Sequence, residues 1–197
     1  MFLYRFFRFL LAIIFKIYFH LEVKGKEYIP KNGGFVLASN HASFLDPMVL
    51  GVACPRILNF AARESLFKNH FFGGLILRCG AFPIKRWAAD LSAVRESVRR
   101  LSNNAGLVVF PEGTRSEDGK LQPITQGFVM LAVKANAPII PAWISGSYRA
   151  WAKAGKVIKP VKIKVIFGHP VQAVKGQSYA LVARGVFRQL EDLSKIY

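Results

Sequence analysis

The sequence predicts an α/β fold: a mixed, largely parallel sheet flanked by helices, with a membrane-interacting helix at the N-terminus. Short runs rich in branched and aromatic residues alternate with stretches whose apolar residues recur every three or four positions. Glycines, prolines and asparagines punctuate the alternation. A basic, phenylalanine-rich opening segment precedes it.

Residues 1–21 are largely apolar, interrupted by Arg5, Arg8, Lys16 and His20. On a helix of about 100° per residue these four fall within an arc of roughly 120°, which leaves the remaining surface to Phe, Leu, Ile and Tyr. No run is long enough to cross a bilayer uncharged. The charges recur inside the apolar stretch and no small-x-small cleavage site follows, which argues against a secretory signal. The expectation is a helix lying in, or shallowly inserted into, a membrane interface, with Arg5 and Arg8 at anionic headgroups; a spanning helix and a core helix are the alternatives. Residues 22–34 carry Gly25, Pro30, Asn32, Gly33 and Gly34, a turn-rich connector. The division expected is a membrane-associating helix over 1–24 and a domain over 25–197.

Within the domain, Phe-Val-Leu-Ala-Ser after Gly33-Gly34 predicts a strand over 35–39, and Pro47 opens a short helix over 47–52. The run 57–62 reads as a strand and 64–78 as a helix. A strand follows over 81–85, then a helix over 89–103 with Leu91, Val94, Val98 and Leu101 on one face. Leu-Val-Val-Phe makes a strand over 107–110, 127–136 a helix and 139–144 a strand. The last elements are a strand over 161–167 and a helix over 178–196.

A hydrophobic fraction of 52% and 17 phenylalanines exceed what one core of this size consumes, so apolar surface is left for a lipid or a membrane. The net charge of +17 calls for an anionic partner. After Asp118 no acid occurs until Glu191, and Arg149, Lys153, Lys156, Lys159, Lys162 and Lys164 form the densest basic stretch. It reads as a solvated face, or as a surface for anionic headgroups or an acidic carrier protein. Cys54 and Cys79 form no redox or metal cluster, and the histidines lack zinc spacing. No metal site is expected, and two isolated thiols fit a reducing compartment.

Residues 40–46, Asn-His-Ala-Ser-Phe-Leu-Asp, are the first candidate site. A neutral imidazole takes a proton at physiological pH, and a carboxylate on its other ring nitrogen fixes the tautomer and balances the imidazolium that forms. An i, i+5 pair on a regular helix sits about 140° apart, so His41 and Asp46 meet only if the segment bends. Asp46 before Pro47 also reads as a helix N-cap, a role that can coexist with orienting a histidine. In the second stretch, a buried-type strand runs into Pro111-Glu112-Gly113-Thr114-Arg115-Ser116. Gly113 permits close backbone approach, Thr114 and Ser116 offer hydroxyls, and Arg115 offers a planar fork for phosphate. Glu112 has three readings: orienting Arg115, bonding a substrate hydroxyl, or bracing the turn. The other two stretches are Gly80 to Arg86, which brings Lys85 and Arg86 to a strand end, and the apolar Ala137 to Ile144.

In this order and spacing, the four stretches resemble the glycerolipid acyltransferase family, most closely its bacterial 1-acylglycerol-3-phosphate O-acyltransferases. The resemblance runs from about Gly33 to Ile144 and extends more loosely to the C-terminus. It implies transfer of a fatty acyl group from a thioester, on coenzyme A or acyl carrier protein, to the free hydroxyl of a lysophospholipid acceptor such as lysophosphatidate, with no bound cofactor. His41 and Asp46 are then the catalytic pair; Arg86, Glu112, Gly113, Thr114 and Arg115 bind phosphate, supported by Asn40, Lys85 and Ser116. Many relatives have Phe-Lys-x-Gly where this chain has Ile124-Thr125-Gln126-Gly127, which leaves another lysolipid or glycerol 3-phosphate open as acceptor.

On this reading His41 takes the hydroxyl proton while that oxygen attacks the thioester, and no serine or cysteine nucleophile is required. The expected location is the cytoplasmic face of the cell membrane, held peripherally or monotopically. The rival class is a non-catalytic basic binder of membrane or nucleic acid. No RNP-type, helix-turn-helix or finger pattern supports nucleic acid as a partner, and the N-terminal phenylalanines are placed for lipid.

Overall fold

The computed structural model describes residues 2–85 and 90–196. Its elements are α1 (Phe2–Ile17), β1 (Glu22–Lys24), β2 (Phe35–Ser39), α2 (Asp46–Ala53), β3 (Leu58–Arg63), α3 (His70–Arg78) and β4 (Ala81–Ile84). They continue with α4 (Leu91–Ser102), β5 (Gly106–Val109), α5 (Gly127–Ala135), β6 (Ile139–Ser145), α6 (Ser147–Ala150), β7 (Lys164–Phe167) and α7 (Tyr179–Ser194). The seven strands form one sheet in the order β1-β7-β6-β2-β5-β3-β4. All neighbours run parallel except β6 and β7. The expected mixed, largely parallel sheet is therefore the one present.

Strand β2 lies at the sheet's centre, between β5 and β6, and is buried throughout. Its side chains alternate as a pleated strand requires. Phe35 and Leu37 join the core beneath α1 and α2. Val36 and Ala38 join the core on the other face, with residues of α4, α5 and α7. This three-layer arrangement fixes where β2 ends, and His41 follows two residues later. At its start, Gly34 lies so close to α4 that a Cβ there would stand 2.1 Å from the Leu101 carbonyl oxygen.

Several elements depart from expectation, each for a local reason. The helix expected over 64–78 is a 3-10 turn at Glu64–Phe67 followed by α3, because the Asn69 side chain accepts from the Phe72 amide and starts a new helix. The connector over 22–34 contains β1, an edge strand pairing parallel to β7. The final strand starts at Lys164 and not at 161. Ile163 ahead of it is occupied by the tail of α1, donating to the Phe19 carbonyl and accepting from the Glu22 amide.

Helix α1 is apolar on two sides. Tyr4 and Phe15 are buried, and Phe19 just beyond the helix joins them. Opposite them Phe2 is 83% exposed, Phe9 65% and Ile17 69%. His20 does not extend the polar arc, because the chain has left the helix and turns there at φ 46°. Arg8 does not face outward as expected either. Its Nη2 donates to the Cys54 carbonyl at 2.6 Å, and so holds the C-terminal end of α2. Among the described residues, no helix is long and apolar enough to cross a membrane.

Candidate active site

The site forms where β2 and β5 end, the edge at which open parallel sheets carry their ligand crevices. After Ser39 the chain must turn away, and Asn40 anchors that turn. Its side-chain amide donates to the Ile144 carbonyl at 3.0 Å and its oxygen accepts from the Ile144 amide at 2.8 Å, pinning the end of β2 to β6.

The bend required by the five-residue spacing is present. His41 Nδ1 lies 2.9 Å from Asp46 Oδ2. The same oxygen accepts from the Ala42 and Ser43 amides, each at 2.7 Å. Asp46 is fully buried and is the first residue of α2, with Leu45 at the cap position. The N-cap role is therefore overturned: the carboxylate turns back to hold the bend instead of forward along the helix. Its place in the first turn still sets its negative charge at the positive end of the α2 dipole. With Nδ1 engaged, Nε2 is the nitrogen of His41 left to exchange a proton. The imidazole lies flat on Phe110, with ring centroids 3.9 Å apart and planes at 18°, so its orientation is set from two sides.

Glu112 is a brace. Its Oε1 accepts from the His41 amide at 2.6 Å and its Oε2 from the Gln122 amide at 2.8 Å. Of the three readings, the turn-bracing one matches these two bonds. The His41 carbonyl in turn accepts from the Ser116 amide at 2.7 Å, so the β5 loop grips the histidine backbone twice. Burial above all, with the nearby Asp46 charge adding, pushes the Glu112 carboxyl up from 4.5 to about 7 against the pull of its two amide donors.

A raised folded value means that this group's stabilising contribution is complete below 4.5 and is lost as pH rises through about 7. Glu112→Gln removes that titration and turns an amide NH2 against one of the two backbone N–H groups. The variant should be destabilised by about 1–3 kcal/mol at pH 5. Its unfolding free energy should also fall less than the parent's between pH 5 and 7.5, as read by urea denaturation. An unchanged pH slope would remove Glu112 as the titrating group.

Arg115 lies with its guanidinium carbon 3.4 Å from the centre of the Phe44 ring, which brings it against the 41–46 turn. Gly113 turns at φ 72° with open space beside it, and Thr114 is exposed, so this part of the loop is accessible to a ligand. Ser116 is buried, and its hydroxyl donates to Asp118 at 2.9 Å. Lys85 is exposed, and its amide donates to Asp90 at 2.8 Å. Arg86 lies outside the described residues.

Neither Ser43 nor Cys54 is placed as a nucleophile. The Ser43 hydroxyl is buried and donates to the Trp151 carbonyl at 2.7 Å, and burial pushes the Cys54 thiol up to about 11. Gln122 and Trp151 carry no signal at the level of residue type, because it is their backbone groups that hold Glu112 and Ser43, and any residue type supplies those. Beside the turn, Leu45, Met48 and Trp151 form one wall of an open apolar hollow of about 460 Å³, and Leu11, Ile14, Phe15, Tyr18 and Phe19 form the other.

A family model described as Acyltransferase matches residues 20–145. The chain is 29% identical over 170 residues to 1-acyl-sn-glycerol-3-phosphate acyltransferase of Bacillus subtilis, covering 86% of this chain and 82% of that protein. It is 33% identical over 154 residues to the protein of the same name from Limnanthes alba, covering 77% of this chain and 54% of the plant protein. The crystal structure of the 1-acyl-sn-glycerophosphate acyltransferase PlsC from Thermotoga maritima superposes with a TM-score of 0.79 at 29% identity, covering 97% of this chain and 81% of that one.

Proposed function

Because this chain belongs to the acyltransferase family, we propose that it moves a fatty acyl group from a thioester to the free hydroxyl of lysophosphatidate, giving phosphatidate. The observation that carries the mechanism is the contact of His41 Nδ1 with the buried Asp46 carboxylate. Nε2 takes the acceptor's hydroxyl proton as its oxygen bonds to the thioester carbonyl carbon. The resulting tetrahedral species collapses, the carbon–sulfur bond breaks, and the imidazolium returns the proton to the departing thiolate. Asp46 balances the imidazolium charge in between. A direct attack needs no covalent enzyme intermediate, which agrees with the committed Ser43 and the buried Cys54.

Arg115, Gly113 and Thr114, with Arg86 and Lys85, are proposed to hold the acceptor's phosphate; Glu112 and Ser116 fix the loop that presents them. The donor is an acyl thioester of coenzyme A or of acyl carrier protein. The apolar hollow beside Leu45 and Met48 supports substrates with hydrocarbon chains. The exposed side of α1 is proposed to lie in the membrane interface at the cytoplasmic face, where acceptor and product reside. The division into 1–24 and 25–197 is thus one of task, since α1 also packs against the domain.

The test is phosphatidate formation by the purified full chain from acyl-coenzyme A and acyl carrier protein thioesters with lysophosphatidate. Product from either donor is the expected result. Turnover of glycerol 3-phosphate or another lysolipid in its place would replace the acceptor, and no turnover of any of them would reject the reaction.

A further inference from the structure

We infer that the loop over 152–159 is a second contact with an anionic bilayer and sets how the protein sits on the surface to which α1 attaches it. This rests on the attachment proposed above. Residues 153–160 are all exposed. Within them Val157 is 69% and Ile158 40% exposed, an apolar pair with Lys156 before it and Lys159 after it. Lys153 pairs with Glu117 at 2.8 Å and Lys162 with Glu22 at 2.5 Å. Among the described residues, Lys156 and Lys159 pair with no acid. Two free ammonium groups around two exposed branched side chains suit an interface in which the chains enter the acyl boundary and the cations meet lipid phosphates.

The loop is attached to α1. The Tyr18 hydroxyl donates to the Ile158 carbonyl at 3.3 Å, and Ile158 shares the apolar hollow with Ile14 and Tyr18. Its shape is held from within: the Trp151 indole donates to the Gly155 carbonyl, and the Lys159 amide to the Ala150 carbonyl, each at 2.9 Å. Its base also reaches the catalytic turn, since the Trp151 carbonyl accepts from Ser43 and the Trp151 ring lies 5.0 Å from that of Phe44. A bilayer holding both α1 and this loop would thereby fix the direction in which the His41 site opens. The lysines alone would also suit an acidic carrier protein. The exposed Val157 and Ile158, adjoining the apolar side of α1, favour a bilayer.

The test uses the full chain with Lys156→Glu and Lys159→Glu combined. It is sedimented at low salt with vesicles of equal parts phosphatidylglycerol and phosphatidylcholine, and with vesicles of phosphatidylcholine alone. The expected result is roughly 30-fold or greater loss of affinity for the anionic vesicles. Binding to the neutral vesicles and turnover in detergent micelles should be unchanged. Val157→Ser with Ile158→Ser should weaken binding to both kinds of vesicle. Equal affinity of parent and charge-reversed chain for anionic vesicles would overturn the inference. If turnover with the acyl carrier protein thioester alone fell instead, the loop would be reassigned to the carrier. A parent chain that binds neither vesicle would reject the attachment by α1 first, and this contact with it.

Discussion

Replacing His41 by alanine should lower kcat by a factor of about 10²–10⁴ with the fold intact, the range that a positioned general base supplies. The side chain is a partner in few structural contacts: its ring covers Phe110 and meets Asp46, while the bonds that secure the turn use its backbone. The variant therefore keeps the grip of Glu112 and Ser116. Its thermal melt should stay near the parent's, and KM for the acceptor should change less than kcat. Alanine leaves Asp46 buried without its imidazole, but the Ala42 and Ser43 amides still hold Oδ2. Turnover within tenfold of the parent would show that another group removes the proton.

Asp46→Asn should cost a similar factor by a different route. To keep the two amide bonds, the asparagine oxygen must take the Oδ2 position, and it can still accept from Nδ1. The NH2 group then takes the place of Oδ1, a buried atom with no hydrogen-bond partner among the described residues, so the substitution is isosteric and leaves the bend in place. On the proposed mechanism, what disappears is the negative charge facing the imidazolium as it forms, in a site where burial makes that charge effective. Loss of about 10²–10⁴ in kcat in a variant that still unfolds cooperatively, with only the modest fall in melting temperature that a lost charge and an unpaired buried NH2 bring, would separate this electrostatic role from the structural one. Near-parental turnover would leave Asp46 as a brace only.

How much of this was legible in the sequence depends on which atoms do the work. His41 and Asp46 were legible because their chemistry lies in side chains and their spacing demanded the bend that is present. The central strand was legible because both its faces are buried and its residues are apolar throughout. Glu112 was visible as an acid in a loop, but its partners are backbone amides, one of them on a different strand's end, and no residue type announces them. The same holds for Asp46: residue identity favoured a helix cap, and the three donors gathered by the turn decided otherwise. β1 escaped because a three-residue strand at a sheet edge, exposed at both ends, has no apolar pattern to read. Arg8 escaped because helical periodicity places it on a polar arc, and only the position of α2 shows that its partner is a carbonyl.

The pairing of β1 with β7, and of residues 19–22 with Ile163, also orders events in time. These contacts join the first part of the chain to one near its end, and closures across so long a loop form late. During synthesis α1 emerges with both of its apolar sides uncovered; α2 supplies part of its seat early, but the seat of its tail, at Ile163 and β7, is not complete until β7 has been made. Slowing release of the C-terminal third should therefore prolong exposure of the helix.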